Sequence, residues 1–200
     1  GRAGAGWAVT HRPELLAGAT HAISEVGGFS VDVAGRRAYL LQTAEKGLGW
    51  LRLIAEGKAG HGSQEATENV VVTLAQAVAR IGAYRWPVRL TADVERLLRG
   101  VCDLAGLPFD PQDEASVARA VAAIGPAKRF VGASVRTTTN PTRLAAGYKD
   151  NVIPGRAEAT VDARFLPGTT QESLEILREL AGPGVRVEPD FVDTSVESMR

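Results

Sequence analysis

Three side chains in this sequence could take part in catalysis or substrate binding. His61 lies in a Gly-His-Gly-Ser loop, where the flanking glycines allow close backbone approach and leave the imidazole projecting. Arg164 lies on the polar face of a predicted strand beside Asp162, and Asn151 precedes the tripeptide Val-Ile-Pro. Each also has a simpler interpretation: a surface histidine, an arginine in a solvated ion pair, and a turn asparagine. The residue types alone leave both interpretations open.

His21 and Glu25 are candidates for metal ligands because they lie four residues apart, which on a helix would bring them to one face. The β-branched Ile23 and the following Gly27 and Gly28 favour a strand instead. Four residues along a strand span roughly 13 Å, too far for both side chains to reach one ion. Zinc needs three or four donors, and the three histidines and the single cysteine show no metal-binding spacing. We therefore expect no complete metal site in this chain alone.

The composition excludes several classes of protein. The 200 residues carry 23 Lys and Arg against 23 Asp and Glu, and a net charge of zero argues against nucleic-acid binding, which needs a basic surface. No apolar run approaches the roughly 20 residues of a membrane span, and no signal peptide opens the chain, so we expect a cytoplasmic protein without a membrane partner. The only methionine is Met199, which suggests a piece of a longer protein, and the bias toward Arg and Ala suggests a bacterial source.

Hydrophobic periodicity predicts an α+β chain. Counted from Gly47, and without two helices inserted between Tyr84 and Ala127, the order is β-α-β-β-α-β, a ferredoxin-like arrangement with a four-stranded antiparallel sheet and helices on one face. The predicted strands cover residues 20–26, 38–43, 50–56, 130–138, 156–166 and 185–188. The predicted helices cover 7–16 and 68–81, begin at Thr91 and at Asp113 or Glu114, and include one that opens with a capping box of Thr169 and Glu172.

Three motifs follow one another along the predicted sheet. They are Gly60-His61-Gly62-Ser63 at the end of a strand, Asn151-Val152-Ile153-Pro154, and Ala159-Thr160-Val161-Asp162-Ala163-Arg164-Phe165-Leu166-Pro167-Gly168. Together they resemble the dimerisation (lid) domain of the di-zinc aminoacylase, carboxypeptidase and dipeptidase metallopeptidases, whose relatives include acetylornithine deacetylase and succinyl-diaminopimelate desuccinylase. The resemblance implies a lid domain over residues 47–190, a remnant of a zinc-dependent α/β catalytic domain over 1–46, and a return to that domain over 191–200.

The resemblance also implies roles for the candidate residues. Glu25, in Ile-Ser-Glu-Val-Gly-Gly, would be a ligand of one zinc ion rather than a turn acid. His61 would reach across a homodimer into the neighbour's active site and stabilise the oxyanion of the tetrahedral intermediate. Asn151 and Arg164 would contact the substrate, with the guanidinium fork of Arg164 gripping its carboxylate. We therefore expect His61 and Arg164 to be aimed at a reaction centre of another copy.

The implied function is hydrolysis of a peptide or N-acyl amide bond in a carboxylate-bearing substrate, with two zinc ions as cofactors. The family's first histidine ligand, bridging aspartate, Glu-Glu pair and late histidine ligand have no counterparts here, so the chain by itself is expected to be inactive. Two alternatives stay open: a dimerisation module with no catalysis of its own, and a regulatory small-molecule-binding domain with the same order of elements. The inserted helices have no assigned purpose.

Overall fold

The computed structural model describes residues 4–20 and 28–193, together with the backbone of residues 196–197. The described helices are α1 (Ala5–His11), α2 (Val70–Ala83), α3 (Ala92–Ala105), α4 (Glu114–Ala123), α5 (Lys128–Gly132) and α6 (Thr170–Ala181). The described strands are β1 (Ser30–Val33), β2 (Arg36–Tyr39), β3 (Ala44–Glu45), β4 (Gly47–Glu56), β5 (Gly60–His61), β6 (Thr138–Ala146), β7 (Val152–Ile153), β8 (Arg156–Phe165), β9 (Val185–Val192) and β10 (Val196–Glu197). None of these helices is long and apolar enough to cross a lipid bilayer.

The four long strands form one antiparallel sheet in the order β6-β8-β4-β9. The central strands β4 and β8 are in register from Gly47, opposite Phe165, to Glu56, opposite Arg156. The Gly47–Phe165 end is named the ribbon end here, because the short β3–β10 ribbon adjoins it, and the Glu56–Arg156 end is named the loop end. The strand order and directions confirm the predicted β-α-β-β-α-β arrangement.

One face of the sheet is covered by α2 and α6, and this layer holds the main hydrophobic core. The alternation in β8 buries Val161, Ala163 and Phe165 on that face, as predicted from the sequence. Leu74 of α2 is fully buried in the same core. Glycine is required at position 49 of β4, because a Cβ there would lie only 2.6 Å from the Phe165 ring.

The opposite face of the sheet carries paired charges in contact with solvent. Arg156 contacts Glu56 and Glu158, and Arg186 contacts Glu56 and Glu188. These side chains are between 39% and 55% exposed, so solvent screens the pairs and each adds little to stability. This charged face also carries Arg164.

The chain between α2 and β6 forms a second hydrophobic core out of α3, α4 and α5. The two ends of this insertion meet where the backbone N–H of Arg89 donates to the carbonyl of Val135 at 2.9 Å. The β1–β2 hairpin completes the second core, because Val33 is buried among the inserted helices at 1% exposure. The insertion therefore packs against a hairpin that precedes the predicted lid domain.

The predicted strand over residues 130–138 is wrong. Helix α5 and a 3-10 turn occupy this stretch, and β6 begins only at its last residue. Ala127, Val131 and Val135 lie four residues apart, a spacing that brings all three to one face of a helical chain and into the second core. A short apolar run does not by itself distinguish this arrangement from a buried strand.

Helix starts follow the sequence closely. Helices α2, α3 and α4 begin after Asn, Thr and Asp residues whose side-chain oxygens accept hydrogen bonds from backbone N–H groups of the first turn.

The predicted capping box of α6 is wrong, although the helix begins at the expected place. The Thr169 hydroxyl donates to the carbonyl of Leu166, and Glu172 forms an ion pair with Arg89 of the insertion.

The N-terminal region departs further from the predicted elements. The predicted helix over residues 7–16 is in two pieces, because Pro13 follows α1 and opens a 3-10 turn. The predicted strand over 38–43 is shifted into the β1–β2 hairpin, whose turn holds Gly35 at a positive φ of 78°. All of the predicted strand over residues 20–26 except Thr20 lies outside the described residues.

Replacing Leu74 by Ala tests the main core. The change removes a fully buried side chain between α2 and the sheet, so we expect the free energy of unfolding to fall by about 3 kcal/mol. Leu107→Ala is the matched control, because Leu107 is 39% exposed in the insertion. There the same change should cost less than about 1 kcal/mol. Urea denaturation followed by circular dichroism measures both variants, and equal losses would contradict the assignment of Leu74 to the core.

Candidate functional site

His61 lies beyond the loop end of the sheet, on a small ribbon in which β5 pairs with β7. Gly60 lies opposite Ile153, and His61 lies opposite Val152. The ribbon brings Asn151, which directly precedes β7, beside the histidine. The Asn151 amide nitrogen is 3.2 Å from His61 Nε2. The structure thus brings together two of the predicted site residues from distant parts of the sequence.

The hydrogen bonds of His61 favour one tautomer of its ring. The backbone N–H of Ser63 is a fixed donor 3.3 Å from Nδ1, and the Ser63 hydroxyl lies 2.8 Å from the same nitrogen. A neutral imidazole that accepts at Nδ1 carries its proton at Nε2. The Nε2–H then faces the side-chain amide of Asn151. A 180° rotation of this amide puts its oxygen, instead of its nitrogen, where it can accept the hydrogen bond from Nε2–H. Ser63, which the sequence reasoning left without a role, therefore orients an exposed N–H that can donate to an anionic oxygen.

Arg164 lies near the ribbon end, on the charged face of β8. Its Nε and Nη2 donate to the two oxygens of Asp162 at 2.7 and 3.1 Å. The indole N–H of Trp50 donates to the same carboxylate at 3.3 Å. These donors, above all Arg164, hold the pKa of Asp162 below its ordinary value. Asp162 therefore orients the guanidinium while using only part of its five N–H donors.

Lys46 reaches the same end of the sheet, and the sequence reasoning missed it. Its Nζ donates to the carbonyls of Ala133 and Arg136 at 2.8 Å each, and to Thr138 Oγ1 at 3.1 Å. Burial and the positive charge of Arg164 lower the pKa of Lys46 to about 8. A single lysine before a strand carries no sequence signal for this position, because its partners lie far along the chain.

The two candidate groups lie at opposite ends of the domain. Strand β8 runs from Arg156 at the loop end to Arg164 near the ribbon end, and eight residues of extended chain span roughly 26 Å. His61 lies beyond the loop end, so its separation from Arg164 is of this order. One copy of the chain cannot present both side chains to one small ligand. The expectation that one copy aims both at the same reaction centre is corrected by the length of this strand.

Glu25, the candidate metal ligand, lies outside the described residues. Within residues 4–20 and 28–193, the structure brings together no group of three His, Cys, Asp or Glu side chains that could hold a metal ion. Cys102, for example, is buried among apolar side chains of the second core. The described donors therefore do not fit a zinc site by themselves.

Residues 43–180 match the peptidase dimerisation domain, a family of domains found in M20 peptidases. The match extends over more than half of the chain and includes His61, Asn151 and Arg164. This chain belongs to the M20 peptidase dimerisation domain family. The matched range also contains the insertion, and it excludes Glu25.

Two curated relatives resemble this M20 domain in sequence. The human N-fatty-acyl-amino acid synthase/hydrolase PM20D1 is 31% identical over an alignment of 153 residues, which covers 70% of this chain and 29% of that protein. The Xenopus tropicalis protein of the same name is 31% identical over an alignment of 151 residues, which covers 70% of this chain and 28% of that protein. The chain thus spans less than a third of the length of these relatives.

Solved structures share the fold of this M20 domain. The M20 family metallo-carboxypeptidase Sso-CP2 from Sulfolobus solfataricus aligns with a TM-score of 0.50 and 19% identity, over 77% of this chain and 39% of that chain. The dipeptidase Dug1p from Saccharomyces cerevisiae aligns with a TM-score of 0.54 and 11% identity, over 87% of this chain and 40% of that chain. These alignments agree with the predicted lid fold of mixed helix and antiparallel sheet.

Replacing Asp162 by Asn tests the carboxylate that orients Arg164. Because Arg164 lowers the pKa of Asp162 in the folded protein, the ionised carboxylate stabilises the fold above the unfolded pKa of about 3.9. This contribution is lost as the pH falls through the lowered pKa. We therefore expect the wild type to be more stable than Asp162→Asn near neutral pH, and the difference to shrink as the pH falls from about 5 through the unfolded pKa and then through the lower folded pKa.

Urea titrations at each pH measure the free energy of unfolding of both proteins. Asp103→Asn, at an exposed position of α3, is the matched control for the loss of one carboxyl charge. A stability difference between wild type and Asp162→Asn that stays constant across this pH range would contradict the ion pair with Arg164.

Proposed function

We propose that this M20 domain is the dimerisation and substrate-binding part of a zinc-dependent hydrolase that cleaves the amide bond of N-acyl amino acids or small peptides with a free carboxylate. The names of the relatives support this substrate class, since they include an N-fatty-acyl-amino acid hydrolase and a dipeptidase. The observation that carries the proposal is the placement of His61 with Asn151 at the loop end and of Arg164 at the ribbon end.

Arg164 is suited to bind the carboxylate of a substrate in its own subunit. The chain enters β4 through β3 and leaves β9 through β10, and these two short strands pair with each other. Both connections of the domain therefore adjoin the ribbon end, close to Arg164. A catalytic domain built from the flanking sequence would lie on this side, and the remaining N–H donors of Arg164 can bind a carboxylate.

His61 and Asn151 are suited to serve the active site of a second subunit, because they lie at the end remote from these connections. There the Nε2–H of His61 would donate to the carbonyl oxygen, which becomes negative when the amide is attacked. Asn151, held beside the ring, would contact the same substrate. Each active site of a homodimer would then combine Arg164 of one subunit with His61 and Asn151 of the other.

The edge strand β6 offers a surface for this second subunit. In the described sheet it pairs only with β8, and seven of its nine residues are exposed. Leu144 on this strand is 59% exposed, and Val72 on the adjoining helix α2 is 52% exposed. A sheet edge beside exposed apolar side chains suits a second copy of itself, because antiparallel pairing across a two-fold axis satisfies the backbone groups of both edges.

Zinc binding would fall to Glu25 and to residues outside the described ranges, since the described side chains do not form a metal site. The 200-residue chain by itself would then bind a partner and contribute to substrate binding without turnover. Its cytoplasmic location stays a prediction from composition.

His61→Ala tests the oxyanion role in the full-length protein that carries this domain. The loss of one donor to a developing oxyanion should lower kcat about a hundredfold to a thousandfold and change KM much less. The matched control is His11→Ala, because His11 is an exposed histidine that stacks on Trp7 in α1. Steady-state hydrolysis of an N-acyl amino acid measures both variants. A fall in kcat of less than about threefold for His61→Ala would remove this histidine from the mechanism.

Mixed dimers test the placement of the site across two subunits. When subunits carrying His61→Ala and Arg164→Ala pair with each other, one active site collects both changes and the other is intact. Random pairing makes half of the dimers mixed, so co-expression should restore about a quarter of wild-type activity, although each variant alone is nearly inactive.

The control pairs His61→Ala with Asn151→Ala. These two residues would come from the same subunit in each site, so both sites of the mixed dimer carry one change and activity should stay low. Equal activity from the two mixtures would contradict the division of the site between subunits.

A further inference from the structure

Lys46 crosses the ribbon end of the sheet. Strand β8 lies between β4 and β6, and Lys46, which directly precedes β4, donates to Thr138 at the start of β6. Thr138 lies opposite Arg164 in the β6–β8 pairing, so the lysine side chain passes the end of β8 beside the arginine. The other two hydrogen bonds of Lys46 go to the carbonyls of Ala133 and Arg136, at the end of the insertion. All three protons of the ammonium group are thereby used.

Two cations, Arg164 and Lys46, lie at this end of the sheet, and the carboxylate of Asp162 pairs with Arg164. Asp162 accepts two hydrogen bonds from Arg164, whereas the three acceptors of Lys46 are neutral oxygens. Burial, and to a smaller extent repulsion from Arg164, lowers the pKa of Lys46 to about 8, so the lysine is still mostly charged at neutral pH. Like charges held close together raise the free energy of the empty site, and a bound anion relieves that repulsion.

We infer that Lys46 is a positioning residue for a carboxylate ligand of Arg164. It adds a second fixed positive charge beside the guanidinium, and it ties Thr138 and the end of the insertion to the start of β4, across the end of the strand that carries Arg164. The inference rests on the proposed function, because it takes the ligand of Arg164 to be the carboxylate of an N-acyl amino acid. It also assigns a purpose to the insertion, which supplies two of the three acceptors that hold the lysine.

Isothermal titration calorimetry tests the inference. It measures the Kd of the full-length protein for an N-acetyl amino acid and for the corresponding carboxamide. Lys46→Met keeps the length of the side chain but removes the charge. We expect the Kd for the carboxylate to rise about fivefold and the Kd for the carboxamide to change less than about twofold. Lys46→Arg retains a cation and should keep most of the preference for the carboxylate. Lys128→Met, at an exposed position of α5, is the matched control and should leave both Kd values unchanged.

An equal loss of affinity for the carboxylate and the carboxamide in Lys46→Met would identify a purely structural lysine and overturn the inference. Unchanged binding by Lys46→Met would overturn it as well. Hydrolysis of the same N-acetyl amino acid by the wild type is measured in parallel. Carboxylate-selective binding that Lys46→Met loses, without any hydrolysis by the wild type, would support the inference and overturn the proposed activity. A wild type that binds neither ligand would overturn both.

Discussion

The antiparallel pairing of β4 with β8 sets the geometry on which the rest of this domain depends. Alternation along the pair buries one face against α2 and α6 and leaves the other to charged side chains. An extended strand cannot be shortened without breaking its hydrogen bonds, so groups at its two ends stay roughly 26 Å apart. This separation makes the domain a spacer with candidate site residues at each end: His61 and Asn151 at one, and Arg164 at the other. Under the proposed function, a small substrate would contact both groups only where two copies of the chain meet.

The insertion adds a second connection between the domain and the β1–β2 hairpin that precedes it in the sequence. A lid attached only through the β3–β10 ribbon would have a narrow connection at one end. Here the inserted helices form their own core and bury Val33 of the preceding hairpin in it. The bidentate ion pair of Arg89 with Glu172 and the three hydrogen bonds of Lys46 join the same insertion to α6 and to the sheet. The hairpin, the insertion and the sheet are therefore packed into one continuous body around the ribbon end.

Local patterns predicted the parts of the fold that depend on local interactions. The starts of α3 and α4 followed from Thr91 and Asp113, and β8 followed from strict alternation, because both signals are complete within a few residues. The predicted strand over 130–138 failed because its apolar residues pack against α4 and the hairpin, which the sequence does not reveal. The capping box failed for a similar reason, since Glu172 pairs with an arginine more than 80 residues away rather than with its own helix. Each error lies where a distant contact competed with a local preference.

By itself, the sequence determined the β-α-β-β-α-β order of the main sheet and its two helices, the two faces of the central strands, and the residue types of the candidate site: a histidine, an asparagine and an arginine in recognisable motifs. Only the tertiary structure decided that His61 and Asn151 touch, that Arg164 lies at the opposite end, and that Lys46 lies beside it. The physical reason is that side-chain periodicity and capping act over a few residues. The distance between two functional groups depends instead on strand register and on the side of the sheet to which each loop returns, and long-range contacts fix both.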